Sequence, residues 1–118
     1  MSIIRRHLAS YRIAFKGIIF AFRFERNMIF HLAAAIVVIL INFKLNITKT
    51  EWLITLILIG LAWMAEIFNT SIEKLADAVT KDHHPLVGQA KDLSAGAVLV
   101  ICIIAAICGI AIYVPYVM

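Results

Sequence analysis

The sequence predicts an all-α integral membrane protein: an N-terminal amphipathic interfacial helix followed by three transmembrane helices. Three observations predict it. Hydrophobic residues make up 64% of the 118 and charged residues only 15%, with a mean hydropathy of +0.99; a soluble domain is roughly half apolar. Residues 28–43, 52–65 and 93–118 contain no Asp, Glu, Lys or Arg, and so few charges could not cover such apolar surface in water. Six of the eleven Lys and Arg residues precede residue 27. The length suits one domain over residues 1–118. The net charge of +4 fits an anionic leaflet and an anionic ligand, and with no zinc-finger, helix-turn-helix or RNP pattern no nucleic-acid partner is expected.

Residues 1–26 are expected to form the interfacial helix. Ile4, Leu8, Tyr11, Phe15, Ile18 and Phe22 recur at spacings of three and four, one apolar stripe on a helix. Arg5, Arg12, Lys16 and Arg23 run beside it, the pattern of a helix lying in a membrane surface. Membrane anchoring accounts for most of these cations, and one or two are left to reach a phosphate. Glu25, the lone acid of the first 50 residues, reads most simply as an ion-pair partner of Arg26 or Arg23. No cleavable signal peptide is expected.

The first span is expected over residues 27–44, slightly short for a membrane crossing and extended at its ends. His31, near its start, reads as an interfacial or packing histidine. Residues 44–51 form a short polar loop with Asn46 and Thr48 as turn or cap candidates, and Trp52 falls where an aromatic belt places it. The second span, residues 51–79, continues past its apolar part into a polar extension. Residues 81–88 read as a helix break at Pro85 and Gly88, with His83 and His84 in a solvated loop that Lys91 and Asp92 close. The third span is expected over residues 92–115, with Gly96, Ala105 and Gly109 offering close helix packing and Pro115 ending it. Cys102 and Cys108, six residues apart on different faces, read as small apolar side chains.

The chemistry concentrates on the second span. Glu66, Asn69, Glu73 and Asp77 are spaced by three, four and four residues, one stripe of one helix face. Glu66 directly follows the apolar run. Carboxylates at a membrane edge are costly unless cationic groups or a metal stand against them. The plain structural reading is a solvated helix end with an ion pair to Lys74 or Lys91; the functional one is a metal or phosphate site. The Lys and Arg distribution puts the N-terminus and residues 70–92 in the cytoplasm, so the stripe, Lys91, Asp92 and Glu25 fall on the side of the nucleotide pool. Several carboxylates facing one space suit Mg²⁺ shared with phosphates, nearby cations hold the remaining phosphate charge, and a carboxylate partly withdrawn from water can take a proton from a lipid alcohol. Together these are the parts of phosphoryl transfer from ATP to a lipid hydroxyl. No Walker-type loop or protein-kinase signature is present.

The segment Glu66-x-x-Asn69-Thr70-x-Ile72-Glu73-x-x-x-Asp77, followed by His84-Pro85-Leu86-x-Gly88-x-Ala90-Lys91-Asp92-x-x-Ala95-Gly96, resembles the small bacterial integral-membrane diacylglycerol kinase family, which includes the undecaprenol kinases. The likeness extends to Lys16-Gly17, to Glu25-Arg26-Asn27 and to the three-span layout. It implies a homotrimer in the bacterial cytoplasmic membrane, with active sites between protomers at the cytoplasmic interface. By resemblance, Glu66 is the general base on the lipid hydroxyl and Asn69 orients the reacting groups. Glu25 and Glu73 bind the Mg²⁺ that bridges the ATP phosphates. Lys91 contacts phosphate, Asp77 and Asp92 serve the nucleotide end, and Arg6 and Lys16 are basic nucleotide-side positions. His31 and His84-Pro85 depart from the enterobacterial diacylglycerol kinase pattern and look more like the undecaprenol kinase branch, so undecaprenol is the expected acceptor and diacylglycerol the alternative. A small proton-coupled transporter with Glu66 as its coupling acid is the competing class, but it calls for polar groups across the whole membrane, and the outer halves of the spans are almost uniformly apolar. A structural or regulatory membrane peptide needs no acidic stripe.

Overall fold

Three short breaks divide the chain into four helices in the computed structural model, which describes residues 2–118. They are α1 (Ile3–Phe24), α2 (Arg26–Leu45), α3 (Lys49–Val79) and α4 (Pro85–Val117). The last three are long and apolar enough to cross a membrane, and no strand occurs among the described residues.

Each break follows from local chemistry. The backbone of Glu25 is extended (φ −100°, ψ 117°), which stops α1 and turns the chain into α2. Asn46 adopts the left-handed conformation at the end of α2 (φ 51°, ψ 51°), one that a short polar side chain tolerates. Two residues later Thr48 and Glu51 close a capping box: Thr48 Oγ1 accepts from the Glu51 amide at 3.2 Å and the Thr48 amide donates to Glu51 Oε1 at 3.0 Å. The polar loop therefore shrinks to residues 46–48, and Glu51, expected to end the loop, lies in the first turn of α3.

The third break also differs from the sequence expectation. Pro85 and Gly88 do not interrupt a helix; Pro85 opens one. His84 caps α4, its Nδ1 accepting from the amides of Leu86 at 3.2 Å and Val87 at 3.5 Å. Proline fits the first helical position because its fixed φ is already helical and its missing N–H has no helical partner there. Gly88 bonds back to the His84 carbonyl at 2.9 Å. Lys91 and Asp92 thus belong to α4, which begins well before residue 92. At its far end α4 continues through Pro115 to Val117 rather than stopping at the proline.

The short turn at residues 46–48 makes α2 and α3 an antiparallel hairpin. Near the turn, Asn42, fully buried, donates from Nδ2 to Thr55 Oγ1 at 2.9 Å and accepts from the Tyr113 hydroxyl at 2.5 Å. Thr55 passes its own proton to the Trp52 carbonyl at 2.9 Å. One carboxamide so ties α2, α3 and α4 together with every polar group satisfied. Tyr116 adds a hydrogen bond to Glu51 between the last turn of α4 and the first of α3, and Trp52 packs edge-on against Phe43 with ring centroids 4.9 Å apart. Most large apolar side chains elsewhere face outward, among them Ile57, Leu93 and Leu99, as lipid or further copies of the chain require.

α1 meets the bundle through its C-terminal end. Ala21 is its one buried residue, Phe22 packs edge-on against Trp63 at 4.8 Å, and the Lys74 ammonium lies 5.1 Å from the centre of the Phe20 ring.

Replacing Asn42 by Leu leaves Thr55 and Tyr113 without their shared partner in an apolar layer. The expected loss is about 1 kcal/mol of stability toward denaturing detergent. Tyr113→Phe should cost less, and the Asn42→Leu/Tyr113→Phe double variant should cost less than the two losses added. Unfolding titrations on the three purified proteins read this directly.

Candidate active site

The antiparallel register carries the hairpin from the Asn42–Thr55 contact to a second polar meeting point. Eleven residues further from the turn on both helices is three helical turns, which returns to nearly the same face. There His31 on α2 faces Glu66 on α3, with Nε2 3.6 Å from Oε2. Glu66 is 3% exposed, a carboxylate at the end of an apolar run with only a histidine recorded as its ion-pair partner among the described residues. Trp63, nearly one turn before Glu66, donates from Nε1 to the His31 carbonyl at 3.4 Å.

The rest of the α3 stripe is built against α4. Ser94 Oγ lies 2.7 Å from Asn69 Oδ1 and 2.9 Å from the Lys91 carbonyl, two acceptors sharing its one proton. With Oδ1 so engaged, the Asn69 amide nitrogen points to Glu73, donating to Oε1 at 3.4 Å. Asn69 and Ser94 are buried whereas Glu73 is exposed, so the network leads from the helix interface to open space. Two turns past Asn69, Asp77 accepts from Lys91 Nζ at 2.6 Å. This pair is exposed and contributes little stability; its effect is to hold a cation beside the stripe.

Glu25 is brought to the same end from the break between α1 and α2, where its Oε1 stands 3.2 Å from Lys74 Nζ. Its partner is therefore Lys74, not Arg23 or Arg26. A residue that local sequence ties to its neighbours is in fact adjacent to α3 through Lys74.

Three of the expected site residues are not gathered. Asp92 is exposed and lines a different face of α4, with Gln89, Gly96 and Ala97, because one helical step turns it about 100° from Lys91. Arg6 and Lys16 lie exposed on α1, Arg6 roughly 28 Å along the helix axis from Glu25. Conversely, His31 and Ser94 join the site without having been expected there, and Lys74, expected to pair with the stripe, pairs instead with Glu25. His31 and Glu66 each lie eleven residues from the Asn42–Thr55 contact, so the pair follows from the hairpin register once that contact fixes it. Ser94 gave no signal, since its partner lies on another helix whose rotation the sequence leaves open.

A cavity of about 230 Å³ is lined by α2, α3 and α4 and ends at His31 and Trp63, of which His31 contacts Glu66. His31, Ala35, Val38, Trp63 and Cys102 line it, and Thr55 and Tyr113 mark its far end. Its walls are almost wholly apolar, so it suits a hydrocarbon chain, with a polar end group at the His31 end.

No group of three or more His, Cys, Asp or Glu side chains able to cage a metal occurs among the described residues. Glu25 and Glu73 still fit Mg²⁺ that arrives with phosphates, since such sites take one or two carboxylates and draw their other ligands from substrate and water.

The sequence comparisons agree with this chemistry. A protein of Bacillus subtilis (strain 168) named undecaprenol kinase is 41% identical over 112 residues, covering 95% of this chain and 91% of that protein. A protein of Synechocystis sp. (strain ATCC 27184 / PCC 6803 / Kazusa) named diacylglycerol kinase is 32% identical over 109 residues, covering 92% of this chain and 62% of that protein. The family model described as Prokaryotic diacylglycerol kinase matches residues 12–113. With a buried carboxylate at the end of a membrane span, a carboxamide network behind it and a match over most of its length, the chain belongs to the prokaryotic diacylglycerol kinase family.

Proposed function

We propose that this membrane kinase transfers the γ-phosphate of ATP to undecaprenol, giving undecaprenyl phosphate and ADP. The observation that carries the reading is the placement of Glu66: buried, at the lipid edge of the α3 stripe, and in contact with His31, which lines an apolar cavity. Its higher identity to the Bacillus undecaprenol kinase supports that acceptor. The Synechocystis relative keeps diacylglycerol as the second reading, by the same chemistry.

In this reading the lipid hydroxyl reaches Glu66 from the cavity. Glu66 takes its proton as the hydroxyl oxygen bonds to the γ-phosphorus and the bond to the bridging oxygen breaks, releasing ADP. Asn69, fixed by Ser94 and directed to Glu73, orients the reacting groups. Glu25 and Glu73 would hold Mg²⁺, which would supply neutralisation of phosphate charge when bound with the nucleotide. Lys91 supplies a cation to the phosphates, Asp77 holds Lys91 in place and serves the nucleotide end, and Lys16 and Arg6 add positive charge from α1. The basic amphipathic pattern of α1 lays it in the cytoplasmic surface of the bacterial inner membrane, with the site on that side.

The working unit is a homotrimer with each site completed between copies. Asp92 faces away from Lys91 and Ser94 of its own chain, so it serves the nucleotide end of a site on a neighbouring copy. Outward-facing Leu93, Leu99 and Ile57 supply apolar contact surface.

Purified protein in mixed micelles, given labelled ATP and Mg²⁺, should label undecaprenol far more than diacylglycerol. Glu66→Gln should lower kcat by roughly 10²- to 10⁴-fold with the fold intact. Preference for diacylglycerol would reassign the product to phosphatidic acid, and no transfer to either by folded protein would return the transporter reading. Co-assembling inactive Glu66→Gln and Asp92→Asn chains should recover activity that neither has alone; no recovery in mixed oligomers would place both residues in a site within one chain.

A further inference from the structure

The Glu66 carboxylate has two oxygens, and only Oε2 faces a partner. The carboxylate lies at the end of the apolar run of α3, with the His31 imidazole, which itself lines the cavity, 3.6 Å away. The His31 side chain is 18% exposed against 4% for that of Glu66, so the carboxylate is the more deeply buried of the two. His31 is itself anchored. Its carbonyl accepts from Trp63 Nε1 at 3.4 Å, Trp63 is wedged by Phe22 of α1, and the α2–α3 hairpin sets its height along the bundle. A buried carboxylate without a fixed partner pays a large desolvation penalty and samples several rotamers. An imidazole N–H beside one oxygen removes that freedom.

We propose that His31 is the positioning residue for Glu66. With its proton on Nε2 it holds Oε2 and turns Oε1 toward the cavity mouth, where the acceptor hydroxyl arrives. The present 3.6 Å is ion-pair range, and closing it by about half an ångström makes a hydrogen bond, as catalytic contacts do when substrate binds. His31 touches neither nucleotide nor phosphate; it acts through the direction of one carboxylate. The inference rests on the reading of Glu66 as the base and adds the group that aims it.

The test compares His31→Leu, which keeps apolar bulk and removes the N–H, with His31→Gln, whose amide restores an N–H at similar reach. In the lipid-kinase assay His31→Leu should lower kcat by roughly 10- to 100-fold, the scale of a misaimed catalytic group, with KM for ATP changed less than about twofold. His31→Gln should regain most of the loss. Glu66→Gln is run alongside. If Glu66→Gln stays active, the reading of Glu66 as the base fails and this inference with it. If Glu66→Gln is inactive while folded His31→Leu keeps kcat within about twofold of wild type, the base stands and the positioning role is overturned. A second measurement needs neither turnover nor a folded His31→Leu. The ¹⁵N imidazole signals of His31, assigned by their absence in His31→Gln, should shift between wild type and Glu66→Gln, because the change replaces a carboxylate facing Nε2. Unshifted signals would likewise overturn the proposal.

Discussion

The register of the α2–α3 hairpin is the constraint on which the remaining structure depends. A three-residue turn, closed by left-handed Asn46 on one side and the Thr48 capping box on the other, leaves no slack between the two spans. The Asn42–Thr55 hydrogen bond then pins that register in an apolar layer, where an unsatisfied carboxamide would be expensive. Because eleven residues make three turns, the same alignment delivers His31 to Glu66 at the other end. A one-residue slip would rotate each contact by about 100° and separate both pairs.

α4 joins this hairpin at both ends by polar contacts. Tyr113 and Tyr116 fasten it near the turn; Ser94 and Lys91 fasten it at the site. Between them the contact is made by apolar and small side chains, and the cavity lies where α2 and α4 fail to meet over Ala35, Ala62, Ala105 and Gly109. The opening is thus a consequence of small residues on facing helices, framed by hydrogen bonds that keep the helices from closing over it. In the proposed reading, an apolar cavity whose His31 end contacts a buried carboxylate suits a lipid alcohol. The hydrocarbon stays in an apolar setting while only its hydroxyl meets charge.

The acidic stripe divides by exposure. Glu66 and Asn69 are buried, while Glu73 and Asp77 are exposed beyond the apolar run, so one helix grades from the lipid side of the proposed reaction to its nucleotide side. Lys74 and Lys91 interleave with it through Glu25 and Asp77. These pairs add little to stability. They bring opposite charges to one end of the bundle, and a metal–nucleotide complex there, as proposed, would use both signs.

The sequence by itself determined the class and the chemistry. Uncharged runs too long for a soluble core dictated three spans, and spacings of three and four put Glu66, Asn69, Glu73 and Asp77 on one face, because helical periodicity is a local property. The helix boundaries were less legible. Pro85 reads as a breaker or an opener according to whether a cap precedes it, and the His84 cap that decides the matter is a side-chain geometry. Only the tertiary structure decided that Glu25 meets Lys74, that Ser94 fixes Asn69, that Asp92 turns away from its own site and that His31 faces Glu66. The rotation of one helix about its axis and its register against another arise from packing between segments far apart in the chain, and no periodicity within a single segment encodes them.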